Sequence, residues 1–439
     1  MMSEESQRKL FLDQVCREVR AKDMHDDIRE ELAGHLEELI QDRQAHGYSL
    51  AESEAWAVAQ MGDAQSLGKT LNRVHKPRMN WGLLGVVLLF AVVSLIAMLS
   101  ADASADSAMQ GRSLFHHQSV YVVIGLVVMT GLYFVDFRKL QKLSWPLYLI
   151  LLNAMIISSI TGGSTINGRL QFISIGIFNL TSWIPYLLGI ALAGILTGER
   201  KPKGGSNLTQ HWVEFVAVML PIPLLAAAHS FAELIIYSLL ALIIYVWCTG
   251  KWRWALGAGG SLLVLGSMKI WRSDYLQDRL IGAFQPQAYA EGNGYLYLQV
   301  QNAVSSAGWW GQGFGSTMEN TRFIHSDMLP VYLINCFGWA GGLLLLGMVL
   351  WFTARLLKTL HLILEPFGRA LVLTLGIMLV IRLLYGVSIV SGKMVLSSIA
   401  FPFLSYGSHV IIEFAAVGLL LGIYRRKDMI PKAPIRPIK

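Results

Sequence analysis

The residue best placed to do chemistry is Asp327, in the segment Phe323-Ile-His-Ser-Asp327. It ends a long polar loop and precedes an apolar run long enough to cross a membrane. A carboxylate at the outer mouth of a membrane helix can take a proton from a substrate or hold a divalent cation. The local sequence taken alone favours a structural role instead. Ser326 or Asp327 would cap the helix, with Pro330 in its first turn.

The loop before Asp327, residues 272–327, combines charges of both signs with a glycine-rich, tryptophan-containing segment at residues 307–315. Polar groups of both signs beside interfacial aromatic rings suit a polar head group presented at the membrane surface. The sequence equally fits a glycine-rich connection that turns and lies on the bilayer. The charged residues of the loop include Arg272, Asp274, Asp278, Arg279 and Arg322.

Two charged residues fall well inside apolar runs, Arg382 and Glu413. An isolated charge at mid-membrane costs at least ~2.5–3.5 kcal/mol, so we expect the two to form an ion pair. The pair could belong to a functional path or could only fix the packing of the last two spans. Glu233 lies near the outer end of its own span and is expected to reach the interface.

The composition is that of an integral membrane protein. Of 439 residues, 54% are hydrophobic and 15% charged, and the mean hydropathy is +0.48. Residues 1–80 hold 15 of the 29 acidic and 11 of the 36 basic side chains. The basic balance therefore belongs to the membrane part and reflects topology, so no nucleic-acid partner is expected. Cys16, Cys248 and Cys336 have no paired spacing that predicts a metal site or a disulfide, and no cleaved signal peptide is predicted.

Residues 1–76 predict a cytoplasmic helical module with a regulatory or docking role. Apolar residues recur at three- and four-residue steps from Leu10 and again from Ile28, which predicts two amphipathic helices. A third helix is predicted from Leu50 to Met61, with Ser49 or Ser53 as its N-cap. The module has no phosphate loop, nucleophile or ligand cluster, and its sequence does not identify a partner.

Residues 77–427 predict an all-α polytopic membrane domain of about ten transmembrane helices, followed by a basic cytoplasmic tail at residues 428–439. Loops rich in Lys and Arg alternate with loops poor in them, which places both termini in the cytoplasm. The long loop between spans seven and eight then faces outside. The predicted spans are 81–100, 118–136, 144–161, 178–197, 211–228, 231–248, 253–271, 328–353, 367–391 and 398–424.

Over roughly residues 80–425 the chain resembles the shape, elongation, division and sporulation family, the FtsW/RodA/SpoVE proteins. No single motif is specific, but several occur in the family's order on a ten-span domain. They are Asn167-Gly168-Arg169 with Ile173 and Gly176, the stretch Ala303-Val-Ser-Ser-Ala-Gly-Trp-Trp-Gly-Gln-Gly-Phe314, His325-Ser-Asp327, Phe337-Gly338 with Gly341, and Phe401-Pro-Phe-Leu-Ser-Tyr-Gly407.

This resemblance implies a peptidoglycan glycosyltransferase that polymerises lipid II on the outer face of the bacterial cytoplasmic membrane, in division, elongation or sporulation. A class B penicillin-binding protein, a transpeptidase, is the implied partner. Asp327 matches the family's essential carboxylate, acting as a base or through a divalent cation, Mg or Mn. Arg279 matches a basic residue of the family and would contact the diphosphate. Arg322, His325 and Lys393 are further candidates for binding substrate.

The chain also departs from the family pattern. Asn335 and Cys336 stand where two acidic residues are usual, residues 179–182 read Asn-Leu-Thr-Ser where Gln-Pro-Ser-Glu is usual, Phe172 replaces a tryptophan, and Ser408-His409 follow Gly407 where a glycine is usual. These changes indicate a divergent branch and leave two rival functions open. One is a flippase of lipid-linked precursors with Arg382 and Glu413 lining a path, and the other is a non-catalytic scaffold of the cell-wall machinery.

Overall fold

The computed structural model describes residues 5–20, 22–74, 78–104, 113–162, 165–166, 169–170, 172, 174–175, 178–198, 207–318, 326–397 and 399–427. The chain divides into two compact units. Residues 1–79 with 424–439 form the first, called the N-terminal unit, and residues 80–423 form the second, called the membrane unit.

The N-terminal unit is built from short amphipathic helices around a small apolar core. Phe11 and Val15 are buried on its first helix, Val19 directly after that helix, and Ile28 and Leu36 on its second. The predicted periodicity is confirmed, since the helices are α1 (Glu5–Glu18), a 3-10 turn (Lys22–Met24), α2 (His25–Ala45), α3 (Leu50–Gln60) and α4 (Ala64–Val74).

The start of α3 confirms one predicted cap. The Ser49 hydroxyl accepts the Glu52 N–H at 3.4 Å, and the Glu52 carboxylate accepts the Ser49 N–H at 3.1 Å. This reciprocal pair satisfies two N–H groups that the first helical turn leaves without partners. The hydrogen bonds from Ser49 also lower the pKa of Glu52.

The membrane unit is helical apart from two hairpins of two-residue strands, which the all-α expectation did not include. Strand β1 (Thr165–Ile166) pairs with β2 (Arg169–Leu170), and β3 (Ser174–Ile175) pairs with β4 (Phe178–Asn179). The helices are α5 (Trp81–Ala103), α6 (Leu114–Phe134), α7 (Arg138–Lys142), α8 (Ser144–Thr161), α9 (Leu180–Thr197), α10 (Asn207–Met219), α11 (Pro221–Ala227), α12 (Phe231–Thr249), α13 (Trp252–Trp271), α14 (Asp274–Phe284), a 3-10 turn (Pro286–Tyr289), α15 (Tyr295–Ser306), α16 (Leu329–Leu362), α17 (Pro366–Ile389) and α18 (His409–Arg425).

Among the described residues, six helices are long and apolar enough to cross a membrane: α5, α6, α8, α12, α16 and α17. Two further predicted spans fall on shorter apolar helices, at residues 181–197 and 211–227. The predicted start of the tenth span at residue 398 is wrong, because α18 begins at His409 and residues 402–408 form turns and bends. Pro402 and Gly407 (φ 142°) interrupt the helical backbone before it.

Helix α17 lies at the centre of the membrane unit. In the 18-residue apolar segment of α17, 72% of the residues are buried, compared with 22% in that of α6. Helix α17 is therefore enclosed by protein, whereas α6 is largely exposed. Helix α17 packs against α9, α12 and α16.

Two of the departures from the family pattern meet beside the hairpins. The Phe172 N–H donates to the Thr181 hydroxyl at 3.0 Å, and both residues are buried. The Ser158 hydroxyl of α8 donates to the Phe172 carbonyl. The altered motifs therefore retain paired backbone groups where the chain enters α9.

Candidate active site

Asp327 is buried at the entrance to α16, with 6% of its surface exposed. Its carboxylate oxygen Oδ1 accepts the Ser326 hydroxyl at 2.8 Å. Helix α16 has Met328 as its N-cap, and no side chain in the described part of the chain makes a cap hydrogen bond there. The capping role for Ser326 or Asp327 is therefore wrong, and Asp327 is a carboxylate that the helix start does not use.

Tyr385 of α17 is the neighbour that sequence reasoning missed. Its hydroxyl is close enough to the Asp327 carboxylate to interact electrostatically. The same hydroxyl donates to the Val395 carbonyl at 2.9 Å and accepts the Ser397 N–H at 2.7 Å. A tyrosine near the end of an apolar helix commonly buries its ring and gives its hydroxyl a polar partner, and this was the available signal.

Arg279 of α14 contacts the same segment, residues 395–397, that the Tyr385 hydroxyl binds. Its guanidinium donates to the Leu396 carbonyl, and the Leu396 N–H donates to the Tyr297 hydroxyl at 3.3 Å. Residues 395–397 therefore bind both Arg279 and Tyr385.

A cavity of about 260 Å³ opens beside Arg279. One acidic side chain, one basic side chain and two tyrosine rings line it, which suits a hydroxylated, anionic ligand. The lining residues are Asp278, Arg279, Gly292, Asn293, Tyr295, Leu296, Tyr297 and Leu396.

Lys393 is exposed on the segment that leads from α17 to this cavity. The preceding residue, Gly392, has a φ of 64°. The Gly392 carbonyl accepts a hydrogen bond from the side-chain amide of Gln301 in α15 at 3.3 Å. Two other sequence-predicted binding residues, Arg322 and His325, lie outside the described residues.

The glycine-rich segment is fixed by backbone contacts with a break in α16. Gly338 interrupts the helix with φ 70° and ψ −169°, a conformation essentially restricted to glycine. Residues 308–313 lie across the break through four backbone hydrogen bonds. The N–H groups of Gln312, Gly313, Trp339 and Ala340 donate to the carbonyls of Asn335 (2.8 Å), Cys336 (3.1 Å), Gly308 (3.0 Å) and Trp309 (3.2 Å), respectively.

Gly338→Ala is expected to abolish most of the folded yield. A Cβ at residue 338 would overlap the Trp309 carbonyl oxygen, and the backbone conformation disfavours any L side chain. The matched control is Gly347→Ala in the same helix, where an added Cβ would meet no described atom within 4 Å. Size-exclusion profiles and thermal midpoints measure both variants. Equal yields would contradict the close backbone contact at Gly338.

Asn335 and Cys336 have structural partners at the positions where the family usually has acidic residues. The Asn335 amide donates to the Ser316 hydroxyl at 2.9 Å, and the Cys336 sulfur lies 3.3 Å from the same hydroxyl. Both residues are buried, with 5% and 1% of their surfaces exposed. Neutral side chains therefore connect residue 316 to α16. Two buried carboxylates at these positions would need ion-pair or hydrogen-bond partners.

The described residues contain no group of three or more His, Cys, Asp or Glu side chains that could enclose a metal ion. Asp327 contributes one carboxylate at the entrance to α16. Mg²⁺ is commonly bound by one or two protein carboxylates together with substrate phosphates. Among the described residues, the single carboxylate fits an ion that is shared with a ligand phosphate and does not fit an ion enclosed by protein groups alone.

The predicted ion pair between Arg382 and Glu413 is wrong. The Arg382 guanidinium instead pairs with Glu233 of α12, with 2.8 Å between Nη2 and Oε2. Glu233 is buried, so the expectation that it reaches the interface is also wrong. Glu413 lies near enough to interact with Arg382 electrostatically, but its Oε2 accepts the Phe403 N–H at 2.6 Å. The pair joins α12 to α17.

A family model described as cell cycle protein, FtsW/RodA/SpoVE, matches residues 80–429. The chain belongs to the FtsW/RodA/SpoVE family. It is therefore a multi-pass membrane protein, as the apolar helices also indicate.

Curated relatives of this FtsW/RodA/SpoVE chain are named "Probable peptidoglycan glycosyltransferase FtsW". The protein of that name from Thioalkalivibrio sulfidiphilus is 25% identical over 376 residues, covering 82% of this chain and 92% of the relative. The one from Geobacter sp. (strain M18) is 26% identical over 357 residues, covering 78% and 96%.

Two solved structures share the fold of this family member. A chain from the structure described as "Structural coordination of polymerization and crosslinking by a peptidoglycan synthase complex" superposes with a TM-score of 0.64 at 21% identity, covering 80% of this chain and 98% of that one. The rod shape determining protein RodA of Thermus thermophilus gives a TM-score of 0.58 at 20% identity, with 79% and 97% covered. At these identities the likeness establishes the fold.

Proposed function

We propose that this protein is a peptidoglycan glycosyltransferase that polymerises lipid II at the outer face of the cytoplasmic membrane. The observation that carries the proposal is the buried carboxylate of Asp327, which does not cap α16 and interacts electrostatically with Tyr385. The Tyr385 hydroxyl binds residues 395 and 397, on either side of the cavity residue Leu396. Family membership and the names of the relatives support it. Polymerisation of purified lipid II tests it.

Glycosyl transfer forms a bond between an acceptor sugar hydroxyl and the anomeric carbon of the donor, and breaks the bond from that carbon to the lipid diphosphate. Asp327 takes the proton of the acceptor hydroxyl as the new bond forms. Its burial by protein limits water around the carboxylate and strengthens its interaction with the reacting groups. The diphosphate leaves with the negative charge.

Arg279 and Lys393 supply positive charge for that leaving group. Arg279 is held in place by the Leu396 carbonyl and lines the cavity, while Lys393 is exposed three residues before Leu396. A guanidinium and an ammonium near a diphosphate stabilise the charge that develops as the bond breaks. Arg322 and His325 complete the proposed binding set. A divalent cation, Mg or Mn, would be held by Asp327 and the diphosphate together and would supply further charge stabilisation.

We propose a class B penicillin-binding protein as the partner. One structural relative belongs to a peptidoglycan synthase complex in which polymerization and crosslinking are coordinated. Residues 1–76 would act as a cytoplasmic regulatory or docking module, ahead of the membrane domain at 77–427 and the tail at 428–439. Co-purification of the transpeptidase with the full chain, and its loss with an unrelated membrane protein as bait, test the pairing.

The proposed topology has ten spans with both termini in the cytoplasm, so that Asp327 faces outside. In a Cys248→Ala background, Thr317→Cys should react with a membrane-impermeant maleimide in intact cells, and Lys358→Cys should react only after permeabilisation. Both introduced positions are exposed, whereas Cys16 and Cys336 are buried. Labelling of residue 358 but not of residue 317 in intact cells would place Asp327 on the wrong face.

A further inference from the structure

Residues 401–405, here called the 401–405 turn, are buried in a strained conformation. Phe401, Phe403, Leu404 and Ser405 have no exposed surface. Phe403 has a φ of 65°, in the left-handed region that disfavours a bulky side chain. Such a residue persists only where its surroundings determine its conformation, and residues of this kind cluster at functional sites.

Buried polar side chains from three helices hold this turn by its backbone. Ser94 of α5 donates to the Leu404 carbonyl at 2.9 Å, and Gln118 of α6 donates to the Ser405 carbonyl at 3.3 Å. Glu413 of α18 accepts the Phe403 N–H at 2.6 Å. The three side chains are completely or almost completely enclosed. Hydrogen bonds made at this depth restrict the backbone more strongly than exposed ones do.

The Ser405 hydroxyl connects the turn to the residue before Asp327. It accepts the Phe401 N–H at 2.8 Å within the turn and donates to the Ser326 carbonyl at 2.6 Å. Ser326 in turn donates its hydroxyl to the Asp327 carboxylate. A single buried hydroxyl therefore joins the fixed turn to the backbone that carries Asp327.

We propose that Ser405 is a positioning residue for Asp327, through which the 401–405 turn fixes the carboxylate at the entrance to α16. The inference rests on the proposed function for its catalytic consequence. Its structural part, the restraint of residues 326–327, stands independently. The restraint matters because a displacement of about 1 Å in a reacting group can cost on the order of 10²-fold in rate.

Ser405→Ala removes the hydroxyl that joins the turn to Ser326. The variant is expected to lose about 10- to 100-fold in kcat for lipid II polymerisation, with KM for lipid II changed by less than about twofold. Ser405→Thr keeps the hydroxyl and should recover most of kcat. If Ser405→Ala does not purify, the comparison passes to Ser405→Thr against Ser405→Val, which have the same shape and differ in the hydroxyl.

The matched control is Ser94→Ala. It also removes one buried hydroxyl that holds the turn, but Ser94 makes its bond to Leu404 and not to Ser326. Both variants should lower the thermal midpoint. Ser94→Ala leaves the Ser405–Ser326 bond and the bonds from Gln118 and Glu413 in place, so it should lower kcat much less than Ser405→Ala does. Wild-type kcat in Ser405→Ala, or an equal loss in Ser94→Ala, would overturn the positioning role.

Amide hydrogen exchange separates this inference from the proposed function. Peptides covering residues 326–332 should exchange faster in Ser405→Ala than in Ser94→Ala, whatever the protein catalyses. If the wild-type protein does not polymerise lipid II but this difference is present, the proposed function fails and the restraint stands. If exchange in residues 326–332 is the same in both variants, the restraint is refuted.

Discussion

Asp327→Asn is expected to purify as the wild-type protein does and to lose at least ~10²-fold in the rate of lipid II polymerisation. The amide has the shape of the carboxylate and keeps an oxygen that can accept the Ser326 hydroxyl. Because Met328 and not Asp327 is the N-cap of α16, the change removes no helix cap. What it removes is the charge that takes a proton or holds a cation.

Glu291→Gln is the control for this experiment. It makes the same change from carboxylate to amide at an exposed position of the same loop, and Glu291 precedes the lining residue Gly292 without lining the cavity itself. It should polymerise at the wild-type rate, and Asp278→Asn on the cavity wall should lose less than Asp327→Asn. A wild-type rate in Asp327→Asn would show that the carboxylate is not the reacting group.

Arg382→Leu is expected to destabilise the membrane unit by about 3–5 kcal/mol, because it leaves Glu233 buried without its partner. Arg382→Leu combined with Glu233→Gln should recover a large part of that loss, since no unpaired charge remains. Thermal unfolding in one detergent, read for the wild type, both single variants and the double variant, measures the coupling.

A second double-mutant cycle, with Arg382→Leu and Glu413→Gln, shows which carboxylate is the partner of Arg382. Glutamine can still accept the Phe403 N–H, so this change tests the charge at residue 413. Its coupling to Arg382 should be smaller than that of Glu233, which is in direct contact at 2.8 Å. A larger coupling to Glu413 would favour the pairing expected from the sequence over the pairing seen in the structure.

The sequence predicted the bounds of membrane helices well where a local property, continuous apolar composition, determines them. Helix α5 spans 81–103 against a predicted 81–100, and α17 spans 366–389 against a predicted 367–391. Continuous apolar composition follows from the lipid environment and can be read along the chain. The Ser49 cap was found for the same reason, because its partner Glu52 lies three residues away.

The partner of Arg382 could not be predicted in this way. Glu233 is 149 residues away in sequence, and nothing local distinguishes it from Glu413 as a partner. Both carboxylates lie on helices near α17, and the choice depends on how those helices rotate and pack. Depth in the membrane limited the candidates, but it did not select one.

Backbone interactions were also hidden from the sequence. The glycines at 311 and 338 were visible as a motif, yet the hydrogen bonds between residues 308–313 and the break in α16 involve no side chain. Residues 398–408 were predicted from their composition to belong to a helix, whereas backbone groups of residues 401–405 pair with Ser94, Gln118, Ser405 and Glu413. Asp327 and Arg279 were found through motif resemblance, whereas Tyr385 and Ser405 became visible from their contacts.

Polymerisation of lipid II by the purified wild-type chain, supplied with Mg or Mn and followed by gel separation of the products, tests the proposed activity most directly. We expect glycan strands from the wild-type protein, alone or with the proposed transpeptidase partner, and none from Asp327→Asn. Unconsumed lipid II with either cation, both with and without the partner, would contradict a glycosyltransferase centred on Asp327.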